Sequence, residues 1–235
     1  MKILGIILAK GNSKGLKKKN FLKIGQYSLT EISLKNAKKS RLITRLIFSS
    51  ENKQLIKYAK TNHVDAPFKR PINLTKNNKS SYDVAKHAIN FLKNKEKWTP
   101  DYVVILQPTT PFRKSLDIDK VISATIKSNS EAGIAITKNL YSPFWSLKKK
   151  KFTLEPIFKK GLKHKNRQSL PTTFRPSGSV YVLKTSFLLS LKGILPQKKT
   201  VGIEVPHINS INIDSYEDYN YALYLHKQKK IKLDI

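Results

Sequence analysis

Short apolar runs alternate with amphipathic stretches along most of the chain. Residues 3–9 are apolar and few, the pattern of a strand buried on both faces. Residues 29–39 set Leu29, Ile32, Ser33, Asn36 and Ala37 at helical spacing. Residues 43–49 read as a second strand around Leu46, Ile47 and Phe48, and 52–61 as a helix with Leu55, Ile56 and Ala59 on one face. A short strand is expected over 64–68, pushed towards an edge by Pro67. Ser80 or Ser81 caps a helix whose inner face is Val84, Ala85, Ala88, Ile89 and Leu92. Strands at 102–106 and 132–137 flank a helix at 116–127. Two more strands are expected at 179–183 and 201–205. A last helix covers 215–229, opened by Ser215 and Asp218 at capping-box spacing.

This alternation predicts an α/β chain with a mostly parallel sheet and helices on both faces. Ligands of such sheets sit at the carboxyl ends of the strands. Residues 10–20 and 107–111 each follow a strand, so both are expected on one rim and in one site. Residues 139–174 break the pattern. They hold Lys148 to Lys151 and no clean period, and read as an inserted arm. Phe144, Trp145, Leu147, Phe152, Leu154, Ile157 and Phe158 are too many apolar groups to leave in water, and a partner subunit is the expected cover.

The 235 residues carry a formal net charge of +31. Such a charge attracts polyanions, nucleic acid among them. Yet only six of the 46 basic residues are arginine (Arg41, Arg45, Arg70, Arg113, Arg167 and Arg175), and arginine is the usual residue for bidentate phosphate and guanine contacts. The lysines are also spread along the chain, which argues against nucleic acid as the partner. There is no cysteine, which excludes disulfides, thiolate zinc sites and cysteine nucleophiles. The first apolar run is too short for a membrane span and no small-residue cleavage site follows it. A soluble, cytoplasmic protein without membrane contact is expected.

The loop after the first strand is the leading candidate for chemistry. Gly11 and Gly15 permit a tight turn and close approach of a ligand. Free backbone N–H groups with Lys10, Lys14 and Lys19 nearby suit a polyphosphate. The spacing is not that of a Walker sequence. Lys17 and Lys18 read as solvated side chains.

Four stretches together resemble the acylneuraminate cytidylyltransferases, the CMP-sialic acid synthetases. They are Leu8-Ala9-Lys10-Gly11-Asn12-Ser13-Lys14-Gly15 with Lys19-Asn20, then Leu106-Gln107-Pro108-Thr109-Thr110-Pro111-Phe112-Arg113. Arg167-Gln168-Ser169-Leu170-Pro171 with the segment from Phe174 to Tyr181 is the third, and Ile211-Asn212-Ile213-Asp214 the fourth. The resemblance runs over the whole chain. It implies one Rossmann-like domain over 1–235 of the nucleotide-diphospho-sugar transferase type, with 139–174 as a dimerisation arm in a homodimer. It implies transfer of CMP from CTP to the anomeric hydroxyl of a nine-carbon α-keto acid sugar, sialic acid or a relative such as legionaminic acid. Pyrophosphate leaves and Mg2+ assists.

The resemblance also implies roles. Lys19, Lys14 and Asp214 are the catalytic candidates. Lys10, Asn12, Ser13, Lys14, Asn20, Arg70 and Ser81 are the nucleotide-binding ones. Gln107, Arg167, Arg175 and Tyr181 are expected at the sugar, Arg167 against its carboxylate. Asp214 and Asn212 are the metal candidates, a hard ion needing one or two carboxylates besides phosphate and water. Phe112 and Arg113 are expected to be structural. Three positions depart from the family: Lys10 stands where arginine is usual, Asn212 where aspartate is, and Ser177 where asparagine is frequent. None of the five histidines has triad or metal spacing, and no general base stands out. The alternative function is a non-catalytic nucleotide- or RNA-binding protein of the same fold. An eight-carbon acid as substrate is disfavoured by the Arg167-Gln168 segment and the Asn-Ser-Lys-Gly loop.

Overall fold

The computed structural model describes residues 1–13, 15–76, 78–193, 195 and 199–235. The chain begins with β1 (Ile3–Leu8), a small hairpin of β2 (Lys23–Ile24) and β3 (Tyr27–Ser28), and α1 (Leu29–Lys38). Next come β4 (Arg45–Ser49), α2 (Lys53–Thr61), α3 (Ser81–Glu96), β5 (Tyr102–Leu106), α4 (Ser115–Lys127) and β6 (Ala132–Lys138). A second hairpin, β7 (Leu147–Lys150) and β8 (Thr153–Pro156), precedes β9 (Phe174–Lys184), α5 (Thr185–Ser190), β10 (Thr200–Glu204) and α6 (Tyr216–Lys227).

Six strands form one sheet in the order β10-β6-β9-β5-β1-β4. β1 runs parallel to β4 and β5, and β10 parallel to β6. β9 alone runs against its neighbours, pairing antiparallel with β5 and β6. Each central strand feeds side chains to both layers. Ile3 and Ile7 of β1 and Val104 and Leu106 of β5 pack with Leu34 of α1, Leu55 of α2 and Ile118, Val121 and Ile122 of α4. Leu4, Ile6, Val103 and Ile105 point the other way, onto Ala85, Ala88, Ile89 and Leu92 of α3 and Leu188 of α5. Each fully buried aliphatic side chain contributes roughly 1.5–3 kcal/mol by leaving water. A third cluster joins Leu29 and Ile32 of α1 to Ile24, Ala222, Leu225 and Ile213. It draws α6, and the segment just before it, back against the start of the chain.

Three helices start on reciprocal caps. Ser28 with Glu31, Ser80 with Asp83 and Ser215 with Asp218 each exchange side-chain and backbone hydrogen bonds. The cap of α3 is therefore Ser80, and Ser81 is its first helical residue. No strand forms over 64–68; the segment pairs with the sheet through a single bridge of Asp65 to Ile47. The strand expected at 179–183 is longer and starts at Phe174.

Residues 147–156 form a two-stranded ribbon apart from the main sheet. Leu147 faces Pro156 and Lys149 faces Leu154, so Leu147, Leu154 and Pro156 share one side with Lys149. The other side carries Lys148 and the Lys150–Glu155 ion pair at 3.1 Å. Phe152 at the turn, Leu147 and Leu154 are exposed.

Candidate active site

Because β1, β4 and β5 are parallel neighbours, the loops leaving their carboxyl ends meet on one rim. A cleft opens there. Lys10, Ser13, Lys19 and Asn20 line it from the loop after β1, and Gln107, Pro108 and Thr109 from the loop after β5. Lys79, Ser80, Ser81 and Val84 line it from the start of α3, and Arg70 from the segment before it. A second hollow shares Lys10, Ser13 and Lys19 and adds Asn12, Gly15, Glu51 and Asp214.

Lys10, Arg70 and Lys19 are each held by a specific anchor. Lys10 Nζ donates to the carbonyl of Thr75 at 3.1 Å. Burial, and then the nearby charge of Arg70, hold the Lys10 ammonium below the usual lysine range, while Glu51 opposes them. Arg70 is almost wholly buried. Its Nε donates to Ser49 Oγ at 3.1 Å and its Nη2 to the Ser49 carbonyl. The last residue of β4 thereby aims it. Burial brings its guanidinium down to about 10, against the pull of Glu51.

Lys19 Nζ meets Asp214 Oδ1 at 2.6 Å, across 195 residues of sequence. Asn212 Nδ2 donates to the other carboxylate oxygen of Asp214. Residues 212–214 are not a strand. Ile213 N–H donates to the Thr109 carbonyl at 2.8 Å, and Asp214 N–H to Asp218 Oδ2 at 3.0 Å. The segment is thus pinned to the β5 rim and to the α6 cap. A Cβ on Gly15 would stand 3.0 Å from the Asp214 carbonyl, so the loop packs closely there.

Neutral donors and acceptors complete the walls. Asn20 Nδ2 donates to the Lys10 carbonyl at 2.7 Å, and Gln107 Nε2 to Ser81 Oγ at 3.4 Å. Asn20 Oδ1, Thr109 Oγ1 and Asn212 Oδ1 are buried with no hydrogen-bond partner among the described residues. Such groups cost free energy unless something else meets them. The α3 N-terminus adds the positive end of a 16-residue helix to the same wall.

Arg113 lies behind this wall and is fully buried. It donates to Asn36 Oδ1, the Gln107 carbonyl, Thr110 Oγ1, the Ser179 carbonyl and Ser33 Oγ at 2.9–3.3 Å. Burial lowers its pKa to about 10. It braces the β5 loop against β9 and α1, and with buried Phe112 is structural.

Other candidates fall elsewhere. Lys14 lies outside the described residues. Tyr181 stands on β9, half-buried, its ring edge-on to Tyr82 at 6.4 Å; burial, then Tyr82, raises its pKa. Arg167 does not line the cleft within one chain: it donates to the Leu140 carbonyl and borders a separate hollow with Tyr141, Trp145 and Leu170. Arg175 is exposed, and its guanidinium reaches only the Pro176 carbonyl among the described residues. His207 sits in a short turn before α6 and does not border the cleft. The expectation of free backbone N–H groups in this loop fails at Gly11, whose N–H donates to Glu51 Oε1 at 2.6 Å. Glu51 and Lys79 escaped the sequence reading. Their signal was positional only, since each borders a segment that ends on the rim.

No helix among the described residues is long and apolar enough to cross a membrane. A profile of the family described as Cytidylyltransferase matches residues 4–231. The chain is 26% identical over 235 residues to post-translational flagellin modification protein B of Campylobacter coli, covering 98% of this chain and 97% of that one. It is 26% identical to an N-acylneuraminate cytidylyltransferase of Escherichia coli O18:K1:H7, covering 100% of this chain and 54% of the relative. A pseudaminic acid cytidylyltransferase of Campylobacter jejuni is 25% identical, with 97% of both chains covered. Among solved structures, a CMP:2-keto-3-deoxy-manno-octonic acid synthetase complexed with CTP superposes with a TM-score of 0.71 at 12% identity, over 97% of this chain and 100% of that one. With a profile match across nearly its whole length and a sheet of the same architecture, the chain belongs to the cytidylyltransferase family and is a nucleotidyltransferase.

Proposed function

We propose that the chain transfers CMP from CTP to the anomeric hydroxyl of a nine-carbon α-keto acid sugar, with release of pyrophosphate. One observation carries the reading: Lys10, Lys19 and Arg70, from two separate segments, converge on one cleft beside Asp214. The attacking hydroxyl, the α-phosphorus and the leaving pyrophosphate need alignment and charge compensation more than covalent help. Lys10 and Arg70 hold the triphosphate. Lys19 offsets the charge that grows on pyrophosphate. Asn12, Ser13 and Asn20 donate from the loop, and Lys14 belongs to the same segment. Ser81 and the α3 N-terminus suit the polar edge of cytosine, and Gln107 the sugar.

Mg2+ is the proposed cofactor. No cluster of three acidic or histidine side chains able to hold a metal occurs among the described residues. The donor set fits an ion shared with the nucleotide: the Asp214 carboxylate, and Asn212 Oδ1, which is buried and unpartnered. Bound there, Mg2+ would supply charge neutralisation on phosphate oxygens. The sugar acid is argued from the relatives, whose names cover N-acylneuraminic and pseudaminic acids. Legionaminic acid belongs to the same chemical class. The arm is the proposed dimer contact, the ribbon face that carries Leu147 and Leu154 meeting a second copy. Arg167 and Arg175 then serve a sugar carboxylate across that contact. The protein is proposed to work in the cytoplasm, where CTP is made.

The test is pyrophosphate release with CTP, Mg2+ and a panel of N-acetylneuraminic, legionaminic and pseudaminic acids and the eight-carbon acid. Release with at least one nine-carbon acid is expected. No release with any, together with tight salt-sensitive RNA binding, would favour a non-catalytic RNA-binding protein of this fold.

A further inference from the structure

Glu51 puts a second carboxylate, besides Asp214, in the wall of a cleft rich in cations. It follows the end of β4, and β4 pairs with β1 so that Ser49 lies beside Leu8. Two residues on, Glu51 leaves the strand beside the loop that holds Lys10 and Gly11. Its Oε1 accepts the Gly11 N–H at 2.6 Å. Its Oε2 is buried, has no hydrogen-bond partner among the described residues, and lies 4.0 Å from Arg70 Nη1. The side chain is only 13% exposed. The next residue presses on the same turn: a Cβ on Gly11 would fall 2.6 Å from Asn52 Cβ.

A negative charge here weakens the attraction of a triphosphate, so its place needs an opposing gain. Arg70 supplies one. It is nearly sealed from water, and Glu51 is the only acidic group within ion-pair distance of it among the described residues. A buried guanidinium without a counter-charge is strongly destabilised and would turn away from the cleft. We propose that Glu51 is a positioning residue for the nucleotide triphosphate, acting through the Gly11 turn and Arg70. The same carboxylate opposes the loss of the Lys10 proton in a crowded cationic wall. The inference rests on the cleft being the nucleotide site.

The experiment is calorimetric titration of CTP without sugar into wild type, Glu51→Gln and Glu51→Asp, with thermal melts and with Michaelis constants for CTP and sugar. Glutamine keeps an acceptor for Gly11 N–H and removes the charge. The expected result is CTP binding weakened about ten-fold in Glu51→Gln and by less in Glu51→Asp, with the sugar constant unmoved. A purely structural role would lower the melting temperature and leave CTP affinity alone. Unchanged or tighter CTP binding in Glu51→Gln overturns the inference, as does Glu51→Asp binding no better than Glu51→Gln. If the glutamine variant does not fold, Glu51→Asp decides: weaker CTP binding supports the role and wild-type affinity refutes it. A wild type that binds no CTP overturns the nucleotide reading itself, and is told apart because no variant is needed to see it.

Discussion

Replacing Lys19 by alanine separates a catalytic cation from a structural one. Lys19 is mostly buried, whereas its partner Asp214 is 65% exposed. An ion pair with one partner in water contributes at most about 1 kcal/mol to folding. Its removal should therefore leave the melting temperature within a few degrees of wild type. The effect on turnover should be larger. Losing one fixed donor to a developing anion typically costs ~100-fold or more, about 2.7 kcal/mol of transition-state stabilisation. The assay is continuous pyrophosphate release under saturating CTP, Mg2+ and sugar, alongside a thermal melt. Lys19→Arg keeps the charge and should recover part of the rate. A near-wild-type rate in Lys19→Ala refutes the assignment. So does a rate loss matched by a comparable loss of stability, which would make Lys19 a brace for Asp214.

Lys10 loses its proton at lower pH than a free lysine, through burial and the charge of Arg70. The charged form binds the triphosphate, so CTP affinity should fall as pH rises through this lowered value, and Lys10→Arg should move the fall to higher pH; an unmoved profile would clear Lys10 of contact with CTP. Asn212→Asp adds a second carboxylate beside Asp214 and should tighten Mn2+ binding in the presence of CTP roughly ten-fold by paramagnetic resonance. No change would place the metal elsewhere. The Ser80 backbone N–H holds the Asp83 carboxyl below the ordinary value of 3.8. A depressed carboxyl stabilises above its unfolded pKa and stops doing so as pH falls through its folded one. Asp83→Asn should thus lower the melting temperature at neutral pH and change it little below that folded value. Equal losses in melting temperature at both pH values would contradict this.

Local signals read well where one residue decides the outcome. Ser215 and Asp218 form the expected reciprocal cap, and the apolar faces of α2 and α3 are those set by Leu55 and Ala59 and by Val84 to Leu92. Signals failed where pairing decides. The direction of β9 depends on its neighbours, and no pattern within residues 174–184 distinguishes antiparallel from parallel. The short helix α5 is too brief to show a period. In the site, motif residues with a strand in front of them could be placed on the rim. Glu51 could not be singled out, because its role comes from Gly11 lying beside it in space, across a strand pairing. Nor does spacing along the chain show that the Asn212 and Asp214 side chains meet through a turn held by Thr109 and Asp218.

Composition alone could not say which of so many lysines matter, and the structure gives a physical criterion. A lysine side chain free in water loses up to about 2 kcal/mol of conformational entropy when a ligand fixes it. Lys17 and Lys18 are exposed and would bear that loss on binding. Lys10 and Lys19 have already borne it in folding, one against the Thr75 carbonyl and the other against Asp214. Charges fixed before a substrate arrives need little reorganisation as charge develops, which is the condition for electrostatic catalysis. Glu51 and Asp214 fit the same logic. Each costs some attraction for a triphosphate, yet without them the anchored cations would repel one another and relax into solvent. The cleft is therefore tuned by where its charges are pinned, and the overall excess of +31 acts on encounter with the nucleotide more than on its alignment.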